Sequence, residues 1–422
     1  MEQKKSKILT LSLSKHSNII SFLDGSCVRK DISRVCKLFR KASAVRCFSH
    51  TVGNLFVCEQ YDVNYFKKET TDKLRKALAK FESDPNIIEE MIAEALNLIF
   101  QKHAPSNKGE SVKVKDELYL NQKADYDVKI FGKFLAKNMY IKKVYLGGSY
   151  IGHQEGEFEQ LCTGLGENRG LSEFYFSDNC VQINEKLPQF LADAVAKNRT
   201  LKVLDLSQNA LGQHAGSLEI LCKGLLLNKG LEWLNLGNMG IGQHLDELKF
   251  LAEMLEKHPK IKILNLGRNT ELYLHEANAR AFSEGLKNAK KLEQLTLDHC
   301  DLGKRDLDLE ILKDGILGNK SITLLNLNAN LIGGDFWGDA KSFVPILAEI
   351  IRGTTSIRGI RFDENYIEDT PENFETLSKA INASKSIIHY ACLHNNKLAY
   401  NAKFAELVGK INSENFSVYF NC

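Results

Sequence analysis

The sequence predicts an α/β solenoid, a stack of units that each contribute one short parallel strand and one helix, and three observations predict it. An apolar frame recurs with its first residue at Ile141, Leu171, Leu201, Leu231, Ile261, Leu292, Ile322, Ile357 and Ile387, in steps of 30, 30, 30, 30, 31, 30, 35 and 30 residues. Within each copy positions 1, 4 and 6 are apolar, which puts the inward side chains of a short strand on one face. Apolar residues then recur three and four apart, the spacing of one helical face. A single strand and helix cannot cover their own apolar surface, so the copies must stack, with strands lining the inside of a curve and helices the outside.

The first 110 residues lie outside this frame, and their charge differs from the rest. Residues 1–80 hold 17 Lys and Arg against 7 Asp and Glu, a balance of +10, and because the whole chain is +3 the remainder sums to −7. The lysines are dispersed and match no nucleic-acid reader motif, so a solvated basic surface is expected; attraction to the acidic repeats or to phosphate on lipid stays open. Leu74, Ala77, Leu78 and Phe81 share helical spacing, as do Ile88, Met91, Ile92, Ala95, Leu96 and Ile99. Two helices broken at Asp84-Pro85 follow, forming a small helical domain or a cap over the first repeat. Lys102 to Lys115, with Pro105 and Gly109, is the expected linker. The expected organisation is a basic, mainly helical region over 1–110 and a solenoid of about nine repeats over 111–422.

The copy from Leu201 to Leu211, LKVLDLSQNAL, shows the frame most fully. Asn179, Asn209, Asn269, Asn330, Asn365 and Asn395 take position 9, where a buried amide can satisfy backbone groups left unpaired by the corner. Cys300 replaces the amide once, and Ser149 and Met239 depart from the rule, the latter with Asn238 beside it. The helical halves read Leu161, Cys162, Leu165; Leu191, Ala192, Val195; and Leu221, Cys222, Leu225, ending at polar caps Asn168, Asn198 and Asn228.

Hydrophobic residues at 43% and charged residues at 26% match ordinary globular chains, and no run reaches the roughly 18 apolar residues of a membrane span. The basic start is followed by an apolar stretch interrupted by Thr10, Ser12 and Ser14, a poor signal-peptide core. Cys162 and Cys222 share a helix position, Cys180, Cys300 and Cys392 sit at or beside corners, and no CxxC pair occurs among the ten cysteines. Packing in a reducing, cytoplasmic compartment is the expected use.

Catalytic patterns are scarce. The chain lacks GxxxxGK[ST], HExxH and GxSxG. His214 and His244 follow Gly-Gln at the same position of adjacent copies, about 5 Å apart if the strands are neighbours. Two histidines without a carboxylate or cysteine in register make no ligand set, so a structural role where each helix begins is expected. Asp125-Tyr126-Asp127 and Asp306-Leu307-Asp308 resemble metal-binding acidic pairs, but such pairs are common by chance and a solvated turn or helix start is the expected reading of each. No enzyme activity, cofactor or metal is expected.

Binding is better supported, because positions 3 and 5 point away from the core. Position 3 reads Lys143, Glu173, Val203, Trp233, Ile263, Gln294, Leu324, Gly359 and His389; position 5 reads Tyr145, Tyr175, Asp205, Asn235, Asn265, Thr296, Asn326, Arg361 and Ala391. Trp233 between Val203 and Ile263 has the character of an interface anchor, lined by polar Asp205, Asn235 and Asn265, with Tyr145 and Tyr175 at one end. A second reading stays open: aliphatic side chains suit strands whatever they face, the chain's own N-terminal segment can cover Trp233, and the amides can ladder along the sheet. The 35-residue copy carries Gly333-Gly334-Asp335-Phe336-Trp337-Gly338 just after its strand corner, and Phe336 and Trp337 either serve a partner or tuck back on the neighbouring helix.

Copies of about 30 residues carrying LxxLxLxxN and a true helix resemble the ribonuclease-inhibitor-like leucine-rich repeats over roughly residues 118–422. The resemblance implies a horseshoe with strands on the concave face and helices on the convex face, which binds proteins on the concave face and has no catalytic residues of its own. Irregular copies, few prolines and a unique helical N-terminal region are also similar to the leucine-rich-repeat effectors that intracellular bacteria inject into host cells. That second resemblance implies a host-protein target and delivery without a classical signal peptide. Two departures separate the chain from ligase effectors: too little sequence follows Ile387 for a catalytic cysteine domain, and the N-terminal region lacks the Leu-Pro opening of an F-box. The expectation is a protein-interaction module without nucleic-acid partners. The competing classes are an enzyme or small-GTPase regulator, and a membrane-directed adaptor using the basic N-terminal region.

Overall fold

The computed structural model describes residues 67–79, 83–102, 116–120, 126–305, 307–334, 342–384, 390–392 and 394–412. Most of the basic N-terminal region, most of the expected linker, and both Phe336 and Trp337 lie outside the described residues. No described helix is long and apolar enough to cross a membrane.

The chain divides into two compact units. The first holds α1 (Lys68–Leu78), α2 (Pro85–Lys102), β1 (Glu117–Tyr119), α3 (Val128–Lys137), β2 (Lys143–Tyr145) and the body of α4 (Glu155–Glu167). Pro85 opens α2, where its missing N–H costs nothing, and Asp84 Oδ1 accepts from Asn86 N at 2.9 Å. Leu74, Leu78, Ile88, Met91, Ile92 and Leu96 are buried, as their spacing predicts. Asp127 caps α3: its Oδ1 accepts from Ile130 N at 3.0 Å, and its Oδ2 accepts from Thr71 Oγ1 at 2.8 Å and pairs with Arg75 on α1. The acidic motif at Asp127 is thus a helix start, as expected, but a buried one and not solvated, because its carboxylate also ties α1 to α3 through Thr71 and Arg75. On α2, Asn97 Nδ2 donates to Phe134 O at 3.0 Å and its Oδ1 accepts from Asn138 Nδ2 at 3.0 Å, so α2 docks along α3.

Strand β1 extends the repeat one copy earlier than its sequence suggests. Glu117 pairs with Lys143 and Tyr119 with Tyr145 in parallel register, and Leu118 and Leu120 are buried. The frame is hidden there because Lys115 stands at position 1 and Lys123 at position 9.

The second unit runs β3 (Glu173–Tyr175), α5 (Leu187–Lys197), β4 (Val203–Asp205), α6 (Ser217–Leu227), β5 (Trp233–Asn235), α7 (Leu248–Lys257), β6 (Ile263–Asn265), α8 (Glu276–Asn288), β7 (Gln294–Thr296), α9 (Asp308–Gly318), β8 (Leu324–Asn326), α10 (Val344–Gly353), β9 (Gly359–Arg361), α11 (Pro371–Asn382), β10 (Tyr390–Cys392) and α12 (Ala402–Asn412). Each strand from β3 to β10 pairs in parallel with the next in sequence, so the unit is an α/β stack of repeats. The core lies between strands and helices: Leu204, Leu206, Leu221 and Leu225 of one copy are wholly buried, as are their counterparts Leu234, Leu236 and Leu251 in the next.

Two internal ladders hold the copies together. At the strand corner, Asn209 Nδ2 donates to Phe176 O of the preceding copy at 2.7 Å and to Leu206 O at 2.9 Å, while its Oδ1 accepts from Asn179 N at 2.9 Å. Asn269, Asn330 and Asn365 repeat the arrangement. The helix ends carry the second ladder. Asn228, read from sequence as a cap, donates to Val195 O at 2.8 Å and Asn198 O at 3.0 Å, and its Oδ1 accepts from Gly230 N and Leu231 N.

The last copy starts at Ile388, not Ile387. Tyr390 pairs with Gly359, which places it at position 3; Asn396, not Asn395, is the buried corner amide, donating to Phe362 O at 2.9 Å; and Asn395 has φ 55°, the left-handed value found at position 8 in Gln208 and Glu364. Doubled Ile387-Ile388 and Asn395-Asn396 make the two frames alike in sequence. Position 3 is therefore Tyr390 and position 5 Cys392, in place of His389 and Ala391.

Gly212 shows how close the copies come. A Cβ there would fall 2.1 Å from Gly240 O, and Gly303 meets Leu331 O at the same distance. Gly212→Ala is expected to lower stability by roughly 2 kcal/mol, since a backbone oxygen cannot swing aside as a side chain can. Chemical denaturation checks this, and an unchanged midpoint would show that adjacent copies separate at little cost.

Candidate functional site

Along β3 to β7 the middle residue of each strand is buried and its two neighbours are half-buried, so positions 3 and 5 form one face. Parallel register sets Glu173, Val203, Trp233 and Ile263 side by side in one row and Tyr175, Asp205, Asn235 and Asn265 in the next. Trp233 lies diagonally across β4 from Tyr175, with ring centroids 6.4 Å apart and planes at 53°. Strands two apart are separated by about 9.6 Å, so the two rings lean toward each other over β4. The Tyr175 hydroxyl donates to Glu173 Oε2 at 2.9 Å.

The first unit carries the same Glu-x-Tyr arrangement. Tyr119 donates to Glu117 Oε2 at 2.8 Å, and its ring stacks on Tyr145 with centroids 4.3 Å apart and parallel planes. Tyr119, 47% exposed, was hidden from sequence reading because β1 itself was.

Several expected site residues have structural work. Asp205 Oδ1 accepts from Ser207 N at 2.9 Å and from Ser207 Oγ at 2.7 Å; Asn235 Oδ1 accepts from Gly237 N at 3.0 Å, and Asn265 Oδ1 from Gly267 N at 2.8 Å. These side chains shape the turn after each strand, the usual service of an Asx residue. That corrects the reading of the amides as a ladder along the sheet. Leu324 is only 5% exposed and drops out of the presented stripe: its apolar side chain is covered by the surrounding protein, the lower-energy state for an aliphatic group. Phe336 and Trp337 lie outside the described residues.

The histidines form a series of three. The Nε2 groups of His214, His244 and His275 face the backbone oxygens of Gln182, Gln213 and Gln243 in the preceding copies, the last two at 3.2 and 3.1 Å. A carbonyl oxygen accepts, so each Nε2 carries the proton and each ring ties one copy to the previous one. His275 escaped the sequence reading because it stands one position later in its frame. Among the described residues no three His, Cys, Asp or Glu side chains gather as metal ligands do. Asp308 opens α9 as a buried carboxylate 3.0 Å from Arg305 Nε; burial pushes its pKa up to about 6. Asp306 lies outside the described residues.

The sequence matches no family model, and it matches no curated protein.

Proposed function

We propose that the chain is a leucine-rich-repeat horseshoe of the ribonuclease-inhibitor-like kind, acting as a protein-interaction module whose concave strand face binds a partner protein. The observation that carries this reading is the half-buried row Val203, Trp233 and Ile263 with Tyr175 leaning in from β3. A tryptophan held partly in water beside aliphatic neighbours loses little freedom on binding and gains a large contact, which is the profile of an interface anchor. The sequence's likeness to injected bacterial effectors supports a host protein as the partner.

Quantitative affinity capture from eukaryotic lysate, comparing wild type with a folded Trp233→Ala, Ile263→Ser variant, tests the proposal. One abundant protein is expected to be lost with the variant. For that protein Trp233→Ala is expected to cost about 2 kcal/mol of affinity, measured as a dissociation constant. Equal capture by both would remove the strand face as the binding surface.

A further inference from the structure

We infer that the corner between Tyr175 and Trp233 receives an arginine side chain of the partner protein. The inference rests on the strand face being the binding surface and adds the chemistry of what it binds. Two tilted rings, 6.4 Å apart at 53°, meet above β4, and β4 contributes Val203 and Asp205 beneath them. A cation above that corner comes within reach of both ring faces, where the quadrupole of each ring attracts it.

On the strand face itself the charges have one sign. Positions 3 and 5 of β3 to β6 carry Glu173 and Asp205 and no basic residue. The lysines that immediately precede β4 and β6 are already paired, Lys202 with Glu232 at 2.9 Å and Lys262 with Glu293 at 3.0 Å. Asp205 commits only Oδ1 to the turn at Ser207, which leaves Oδ2 outside that turn. Two carboxylates beside two aromatic rings suit a group that is cationic, planar and weakly hydrated. The guanidinium meets all three conditions, stacking on a ring while its N–H groups fork onto a carboxylate; an ammonium satisfies only the charge.

The test is selection of displayed random peptides on the full chain. Wild type is compared with Trp233→Leu and with Asp205→Asn, which keeps the turn acceptor and removes the charge. Enriched peptides are expected to contain arginine, and a synthetic copy is expected to lose about tenfold in affinity when its arginine is replaced by citrulline or when the chain carries Asp205→Asn. Peptides that depend on Trp233 without arginine enrichment, or that bind equally with citrulline, would overturn this inference and leave the interaction surface standing. Enrichment of lysine to the same degree as arginine would overturn the stacking component. Absence of any Trp233-dependent peptide would overturn both.

Discussion

Asn209→Ala is expected to lower the unfolding free energy by about 4 kcal/mol. The amide is wholly buried and its side-chain groups serve two adjacent copies at once. Removing it deprives Phe176 O and Leu206 O of a donor and Asn179 N of its acceptor, all inside the protein. Each buried group left unmade costs about 1–3 kcal/mol, and water cannot replace the amide without a path in. The chain contains its own partial controls. Met239 fills the corresponding slot with a wholly buried apolar side chain, and Cys300 fills another with a thiol that donates weakly to Leu266 O at 3.4 Å. Met239→Asn should therefore stabilise, by less than Asn209→Ala destabilises, because the present corner has relaxed around methionine. Equilibrium denaturation of both variants measures the asymmetry, and a loss below about 1 kcal/mol for Asn209→Ala would mean the corners are held by strand pairing and burial alone.

That ladder also shows what a single sequence reveals and what it hides. Apolar positions 1, 4 and 6 and the corner amide recur because each must be buried in every copy, so their spacing reports the stack directly. Where the constraint weakened, the signal went with it: β1 has lysine at both diagnostic positions, and Ile387-Ile388 with Asn395-Asn396 satisfies two frames equally. The second ladder was visible as residues but not as a role, since Asn168 and Asn228 look like ordinary helix ends until their partners 30 and 33 residues earlier are in place. On the binding face the rows at positions 3 and 5 were legible from alternation alone. The tilt of Tyr175 toward Trp233 was not, because it is a diagonal contact across an intervening strand and leaves no periodic trace. Nor could spacing tell an amide presented to a partner from one that closes its own turn, as Asn235 and Asn265 do.

His258→Asn is expected to turn a nearly flat stability response of the repeats to mild acid into a gain. His258 stands in the second ladder where Asn228 and Asn319 stand in other copies, and it is 2% exposed. Its Nδ1 accepts from Lys260 N at 3.3 Å and Ile261 N at 3.1 Å, so protonating that nitrogen would set three donors against one another. Burial holds its pKa down to about 4, from 6.5 for the free side chain. A depressed histidine pKa means the unfolded chain takes up the proton first: the stabilisation is complete above pH 6.5 and is lost as pH falls from 6.5 to 4, about 3 kcal/mol in all. Asp308 acts in the opposite sense. With its pKa raised from 3.8 to about 6, the folded state takes up the proton first, so its contribution is complete below pH 3.8 and is lost as pH rises through 6, again about 3 kcal/mol. Glu247, also raised by burial, adds to the same side. The opposing slopes overlap between pH 4 and 6 and largely cancel there. His258→Asn removes one of them and supplies an amide able to serve the ladder, so the variant should gain stability as pH falls from 6.5 to 4. Asp308→Asn removes the other and should lose stability across the same range. Denaturation midpoints at several pH values separate the two. If both variants follow the wild-type curve, these buried groups do not set the acid response, and the ladder tolerates a charged imidazole.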